Sequence, residues 1–310
     1  MESGLAEISL IATAGLAGVA LISGIIRALV ARERPTAAKQ ARSRSAVRDV
    51  ASALAGLLAF AVAVAVHIAN PEWQGVPFLV APLVAATAAL TVFATLPPPT
   101  IDGAVRVRHA ELTPRHIGLF SSGRQRMITS LLFGVTVAAV ITAGLTSGDA
   151  SDGRSLCFAF YDLPCTPGGS YLYPGWMFAV PALALTAALF AATFFAVRRV
   201  VSSPAAAWPE LAHEDGTQRE GAVRLVLQTA SVALVLTLGF FLGAAGIPLL
   251  NAEILETGLS ARDDSIARSV GLVLVGSGSI AVLSGGVLAI TTLAALSGRA
   301  TAARVRNTRG

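Results

Sequence analysis

The chain has 310 residues, of which 54% are hydrophobic and only 13% charged, with a mean hydropathy of +0.70 and a formal net charge of +5. Soluble domains carry about 25% charged residues, so an ordinary soluble domain is excluded and a membrane composition indicated. The positive charge is spread over loops with few aromatics, which argues against nucleic-acid binding, where a basic patch on a folded module with aromatic platforms is needed.

A membrane-crossing helix needs roughly 20 apolar residues. Seven stretches qualify: 8–30, 50–68, 77–96, 127–145, 177–197, 226–247 and 270–296. They are continuously apolar and about twice as long as the alternating segments of a membrane β-barrel. The expected fold class is therefore all-α, a polytopic transmembrane helical bundle of seven spans, with residues 1–310 forming one transmembrane domain. The opening MESGLAEISL has no basic side chain. A signal peptide starts with a positive region, so the first stretch reads as a span.

Charge orients the spans. The loop after the first span carries Arg32, Arg34, Lys39, Arg42, Arg44 and Arg48, with Arg27 just before it. The loop after the third carries Arg106, Arg108, Arg115, Arg124 and Arg126. The loop after the fifth carries Arg198, Arg199, Arg219 and Arg224, and the tail carries Arg299, Arg304, Arg306 and Arg309. That is 20 of the 23 cations; only Arg154, Arg262 and Arg268 fall on the other side. A cation excess marks the cytoplasmic face. The expected topology has the N-terminus outside and the C-terminus inside, in a plasma membrane.

Repeated hairpins are a second expectation. RDVASALAG (48–56) and RMITSLLFG (126–134) share R-x-x-x-S-x-L-x-G. PLVAATAAL (82–90) and PALALTAAL (181–189) share P-x-x-A-x-T-A-A-L. The matches fall in the same order in two successive helical hairpins. A third hairpin shares only AVRDV (46–50) against AVRLV (222–226).

Between the fourth and fifth spans, residues 147–176 read as a structured extracellular loop. Its core, SLCFAFYDLPCTPGGSYLYPGW (155–176), holds both cysteines and all three tyrosines. An outside location favours a disulfide between Cys157 and Cys165. The segment 155–161 is expected to pair with 170–173 across the Thr166-Pro167-Gly168-Gly169 turn. His67, Trp73, Tyr161, Asp162, Tyr171, Tyr173 and Trp176 lie near the outer interface, as an aromatic belt or as a small binding cleft. Asp149, Asp152 and Asp162 would make such a cleft acidic.

The last two spans hold small residues for helix packing. Gly239 and Gly243 form G-x-x-x-G. Gly271, Gly278, Gly285 and Thr292 recur every seven residues, which keeps them on one face and suits a left-handed crossing. Ser277, Ser284 and Thr291 run beside them.

Sites for chemistry are sparse. No acidic or basic residue lies deep in a span, which counts against proton relays and ion-coupled carriers. Gln228 is the one long polar side chain in a span, near its cytoplasmic end. The only lysine, Lys39, is in a loop, so a retinal Schiff base in a helix is excluded. VGSGS (275–279) lacks a general base, since a nucleophilic serine needs one within reach and the only histidine in a span is His67 at an outer end. His109, Glu111 and His116 fit no tight metal spacing. No cofactor, metal or catalytic residue is expected.

AELTPR (110–115) and YPGW (173–176) resemble segments of uncharacterised multi-pass membrane proteins of actinobacteria, with similarity running from about the second span through the fifth. The resemblance implies an actinobacterial plasma membrane protein and carries over no site residues. Three readings follow. The first is a non-catalytic protein acting through partners, in envelope assembly or complex stabilisation, with the lipid bilayer and other membrane proteins as its company and no nucleic acid. The second is a permease or channel for a small neutral or lipidic solute. The third is an enzyme on lipid-linked substrates at the outer face, which requires a cleft gathering Asp149, Asp152, Asp162 or His67.

Overall fold

The computed structural model describes residues 37–70, 75–96, 118, 120–149, 155–158, 173–203, 209–250 and 261–305. The expected first span, 8–30, lies outside them. The described chain forms six helices: α1 (Ala37–Ala69), α2 (Val76–Thr95), α3 (Gly123–Leu145), α4 (Trp176–Ser202), α5 (Pro209–Leu250) and α6 (Ala261–Val305). All six are long and apolar enough to cross a membrane. Two short strands, β1 (Ser147–Asp149) and β2 (Ser155–Phe158), form an antiparallel ribbon between α3 and α4.

Local sequence explains where the helices begin. Gly75 precedes α2 with φ 90°, in the left-handed region open to glycine. Pro77 in the first turn of α2 lacks only an amide that the helix leaves unpaired. Ser122 caps α3 by accepting the Gln125 amide at 3.2 Å.

The C-terminus of α4 is capped from a different helix. Arg219 on α5 is buried. Its Nη1 donates to the carbonyls of Val200 and Ser203, at 3.2 and 2.9 Å. Its Nε donates to Asp215 Oδ2 at 2.9 Å, and its guanidinium lies 6.0 Å from the Phe120 ring centroid. A cation suits the negative end of a helix dipole. One arginine thus ties α5 to the end of α4 and lies near Phe120 of the segment leading into α3, at the end expected to be cytoplasmic.

Helix α2 packs on α1, α4 and α5, while α3 packs on α5 and α4. Helix α5 packs most extensively on α6. Two apolar clusters fill the bundle. One joins Leu90 and Phe93 of α2 to Leu189 and Val197 of α4 and Val223 and Val226 of α5. The other, towards the ribbon, joins Leu79 to Val140, Phe178 and Phe241. Helix α6 exposes Val273, Ile280, Leu283 and Ile290. In water such a surface would be a liability; against lipid tails it carries no such penalty.

The two motif-matched helical hairpins pack differently. Helices α1 and α2 lie closely along each other, whereas α3 rests more on α5 and α4 more on α2. A Cβ at Gly56 would lie 3.1 Å from the Ala85 carbonyl, but one at Gly134 would meet nothing within 4 Å. Ser52 is buried and Ser130 exposed. Only the closing leucines, Leu90 and Leu189, share deep burial.

The glycines of α5 and α6 meet along one seam. A Cβ at Gly239 would lie 2.8 Å from the Gly278 carbonyl, and one at Gly246 would lie 2.8 Å from the Gly271 carbonyl. These pairs are seven residues apart on both helices. Gly285 faces Leu236. Gly243 has open space where its side chain would be, although its backbone lies against Gly278.

Candidate functional site

YPGW docks the start of α4 onto the end of α3. Tyr173 is buried, and its hydroxyl lies 2.5 Å from Thr146 Oγ1. Thr146 also donates to the Thr142 carbonyl at 2.8 Å. Burial pushes the Tyr173 phenol above its ordinary ionisation range, and the Thr146 hydrogen bond offsets part of that. Pro174 is fully buried. The Trp176 indole covers Gly144, where a Cβ would sit 2.9 Å from the ring atoms. Only a residue without a side chain can receive the ring there.

Beside this junction lies a cleft of 610 Å³, open on one side. Its end near the ribbon is formed by Gly75, Leu79, Pro174 and Phe178. Phe78 and Phe240 stand in its wall with ring centroids 5.2 Å apart. The deep end lies against Gly239, Gly243 and Gly278, with Val282 and Ser279. Ile247 and Leu283, both exposed, stand at its rim. Along α5, the eight steps from Gly239 to Ile247 rise about 12 Å.

The lining is almost wholly apolar. Among the described residues Ser279 is the one polar side chain in it, and its hydroxyl donates to the Val275 carbonyl at 2.9 Å. Such a surface offers shape and dispersion but few directional contacts. It therefore fits a hydrocarbon better than a cation or a polar headgroup.

This cleft is a separate feature from the acidic outer cleft that the sequence offered as the alternative to an aromatic belt. It sits between helices. Of the expected outer-face residues, Trp73, Tyr161, Asp162 and Tyr171 lie outside the described residues, as does Asp152. His67 lies on α1 with its ring 6.0 Å from Phe78. Its Nδ1 is buried without a hydrogen-bond partner among the described residues. Tyr173 and Trp176 flank the cleft and bind α3 instead.

In the ribbon β2 takes β1 as its partner, while residues 159–161 and 170–172 of the expected pairing of 155–161 with 170–173 lie outside the described residues. Ser147 pairs with Phe158, Gly148 with Cys157 and Asp149 with Ser155. Chain connectivity explains the preference: the loop joining β1 to β2 spans only 150–154, and shorter loops cost less closure entropy. Cys165, the expected disulfide partner of Cys157, lies outside the described residues. So do His109, Glu111 and His116.

The sequence singled out Gly239, Gly243 and Gly278 for packing but passed over Phe78, Phe178 and Phe240. Each of these helices carries other phenylalanines, such as Phe93, Phe190 and Phe241, so nothing in the sequence marks these three as neighbours. Ser277 in VGSGS donates to the Leu274 carbonyl at 3.0 Å, so its hydroxyl is held by its own helix. Among the described residues, no three His, Cys, Asp or Glu side chains gather as a metal site. Comparison with known proteins finds no matching family model, no similar curated protein and no similar solved structure.

Proposed function

We propose that this is a multi-pass plasma membrane protein that works by binding, and that its cleft takes the apolar chain of a lipidic solute from the outer leaflet. One observation carries the reading: an open apolar cleft of 610 Å³ runs from the ribbon end to Gly239 and Gly278, the latter near the middle of its span. Its run of about 12 Å along α5 compares with about 15 Å for half of a 30 Å hydrocarbon core. A single leaflet's chain matches that depth. A transmembrane partner helix would cross the full core and extend beyond the cleft.

The outside N-terminus, inside C-terminus, seventh span over 8–30 and actinobacterial membrane belong to the same proposal. The skewed charge of the loops supports the orientation. Partner-mediated envelope assembly remains a second reading. It draws on α6, where Ser277, Ser284 and Thr291 form an exposed small-residue row among large apolar side chains. Small residues favour close helix approach in membranes.

The test is lipid retention. The full chain purified in mild detergent is expected to carry lipid, read by native mass spectrometry. Gly243→Leu extends a side chain into the cleft from a position with open space, and is expected to expel that lipid. Gly276→Leu, also in open space, serves as the comparison and should retain it. A lipid-free wild type, or equal retention in both variants, would overturn the cleft reading.

A further inference from the structure

Two arginines are equally buried at the end of the bundle opposite the ribbon, and their surroundings differ. Arg219 is 6% exposed and directs its donors to Asp215 and two α4 carbonyls. Arg48 is also 6% exposed, at the start of the apolar part of α1. Its guanidinium carbon lies 4.0 Å from the Phe93 ring centroid. Its Nε has no hydrogen-bond partner among the described residues. Among the described residues the carboxylate facing that nitrogen, Asp49, approaches only to 3.9 Å. Arg199 stands on the last turn of α4 next to Val200, which packs in the same cluster as Phe93, and brings a second positive charge to that end.

A buried guanidinium with an unused donor is costly, and a like charge beside it raises the cost. An anion in front of both arginines removes both penalties. We propose that Arg48 and Arg199 hold a phosphate group, with Phe93 fixing the plane of the Arg48 fork. A planar fork pairs with phosphate oxygens through parallel N–H donors. The site lies where α1 enters its apolar run, at the depth of lipid headgroups. Among residues with described side chains, that end carries Arg48, Arg124, Arg126, Arg198, Arg199, Arg219 and Arg224 against Asp49, Asp215 and Glu220. The charge balance therefore favours an anionic ligand, whether a lipid headgroup or free phosphate. This inference is independent of the apolar cleft at the other end.

The full chain in neutral detergent is titrated with phosphatidylglycerol, phosphatidylcholine and inorganic phosphate, with binding read by native mass spectrometry and thermal shift. Phosphatidylglycerol is expected to bind about tenfold tighter than phosphatidylcholine. Arg199→Gln should abolish that preference. Arg48→Lys keeps the charge but removes the planar fork, and should weaken binding without unfolding the protein. Stabilisation by inorganic phosphate alone, lost in both variants, identifies free phosphate as the source. Equal binding of the two lipids with no phosphate response overturns the site, as does unchanged binding in both variants.

Discussion

The Tyr173 hydroxyl and Thr146 Oγ1 lie 2.5 Å apart, joining the segment that enters α4 to the residue that ends α3. Tyr173→Phe removes this bond while keeping the buried ring. Thr146 retains its bond to Thr142, so no hydroxyl is orphaned. The expected loss is about 1 kcal/mol, read as a lower thermal midpoint in detergent.

Burial of the same tyrosine has a pH signature. Unfolded tyrosine ionises near its ordinary value of about 10. The folded Tyr173 phenol keeps its proton to higher pH, chiefly through burial. The unfolded state therefore releases its proton first. The contribution is fully present below pH ~10 and is lost as pH rises from there through the folded value. Comparing alkaline melts of wild type and Tyr173→Phe should reveal a steeper fall in the wild type. Parallel curves would refute the linkage.

Glycines in one helix should differ sharply in tolerance. A Cβ at Gly278 would lie 2.7 Å from the Gly239 carbonyl and from the Gly243 amide nitrogen. Backbone cannot swing aside as a side chain can. Gly278→Ala is expected to cost about 1–3 kcal/mol. Gly276→Ala has open space and should be neutral, or gain up to about 1 kcal/mol from helix propensity. Unfolding in denaturing detergent would separate the two.

Arg219→Gln is expected to destabilise by about 2–3 kcal/mol. It removes charge-assisted bonds to Asp215, Val200 and Ser203 together. Hydrogen exchange at the end of α4 should rise in the variant. Unchanged protection there would mean that the cap is not what holds that end.

Buried threonines provide a contrast in sign. Thr129 on α3 shares a 3.0 Å hydrogen bond with Ser231 on α5 and also bonds the Gln125 carbonyl. Thr129→Val should cost about 1 kcal/mol. The hydroxyls of Thr136 and Thr237 are buried without a partner among the described residues. Replacing either by Val removes a desolvated polar group and should be neutral or stabilising. Thermal midpoints of the three variants test the ordering.

The membrane-crossing part of each helix was legible because it is one long apolar run, whereas the charged extensions at 37–47 of α1 and 209–225 of α5 carry no such signal. Such a signal needs no partner to be read. The seam was legible only in part. The G-x-x-x-G of Gly239 and Gly243 does meet Gly278, but Gly243 gives only its backbone, and the second α5 position whose own Cβ would clash is Gly246. The seven-residue spacing of α6 recurs on α5 from Gly239 to Gly246. Spacing within one helix cannot say which of several glycines faces a neighbour. The cleft was hidden for the same reason, since Phe78, Phe178 and Phe240 come from three helices. The strand pairing of Ser155–Phe158 turned on a choice between two partners, and alternation does not rank loop lengths.

Gly239 and Gly278 belong both to the α5–α6 seam and to the lining of the cleft. A chain lying across them would bind the closed helix pair and find no equivalent surface once the pair separates. Occupancy and closure are then thermodynamically linked: raising ligand concentration stabilises the pair logarithmically, and prying it open lowers affinity by the same free energy. If the proposed lipid occupies the cleft, removing it during purification would change how firmly α6 is held, and melting curves should then be compared at matched lipid content.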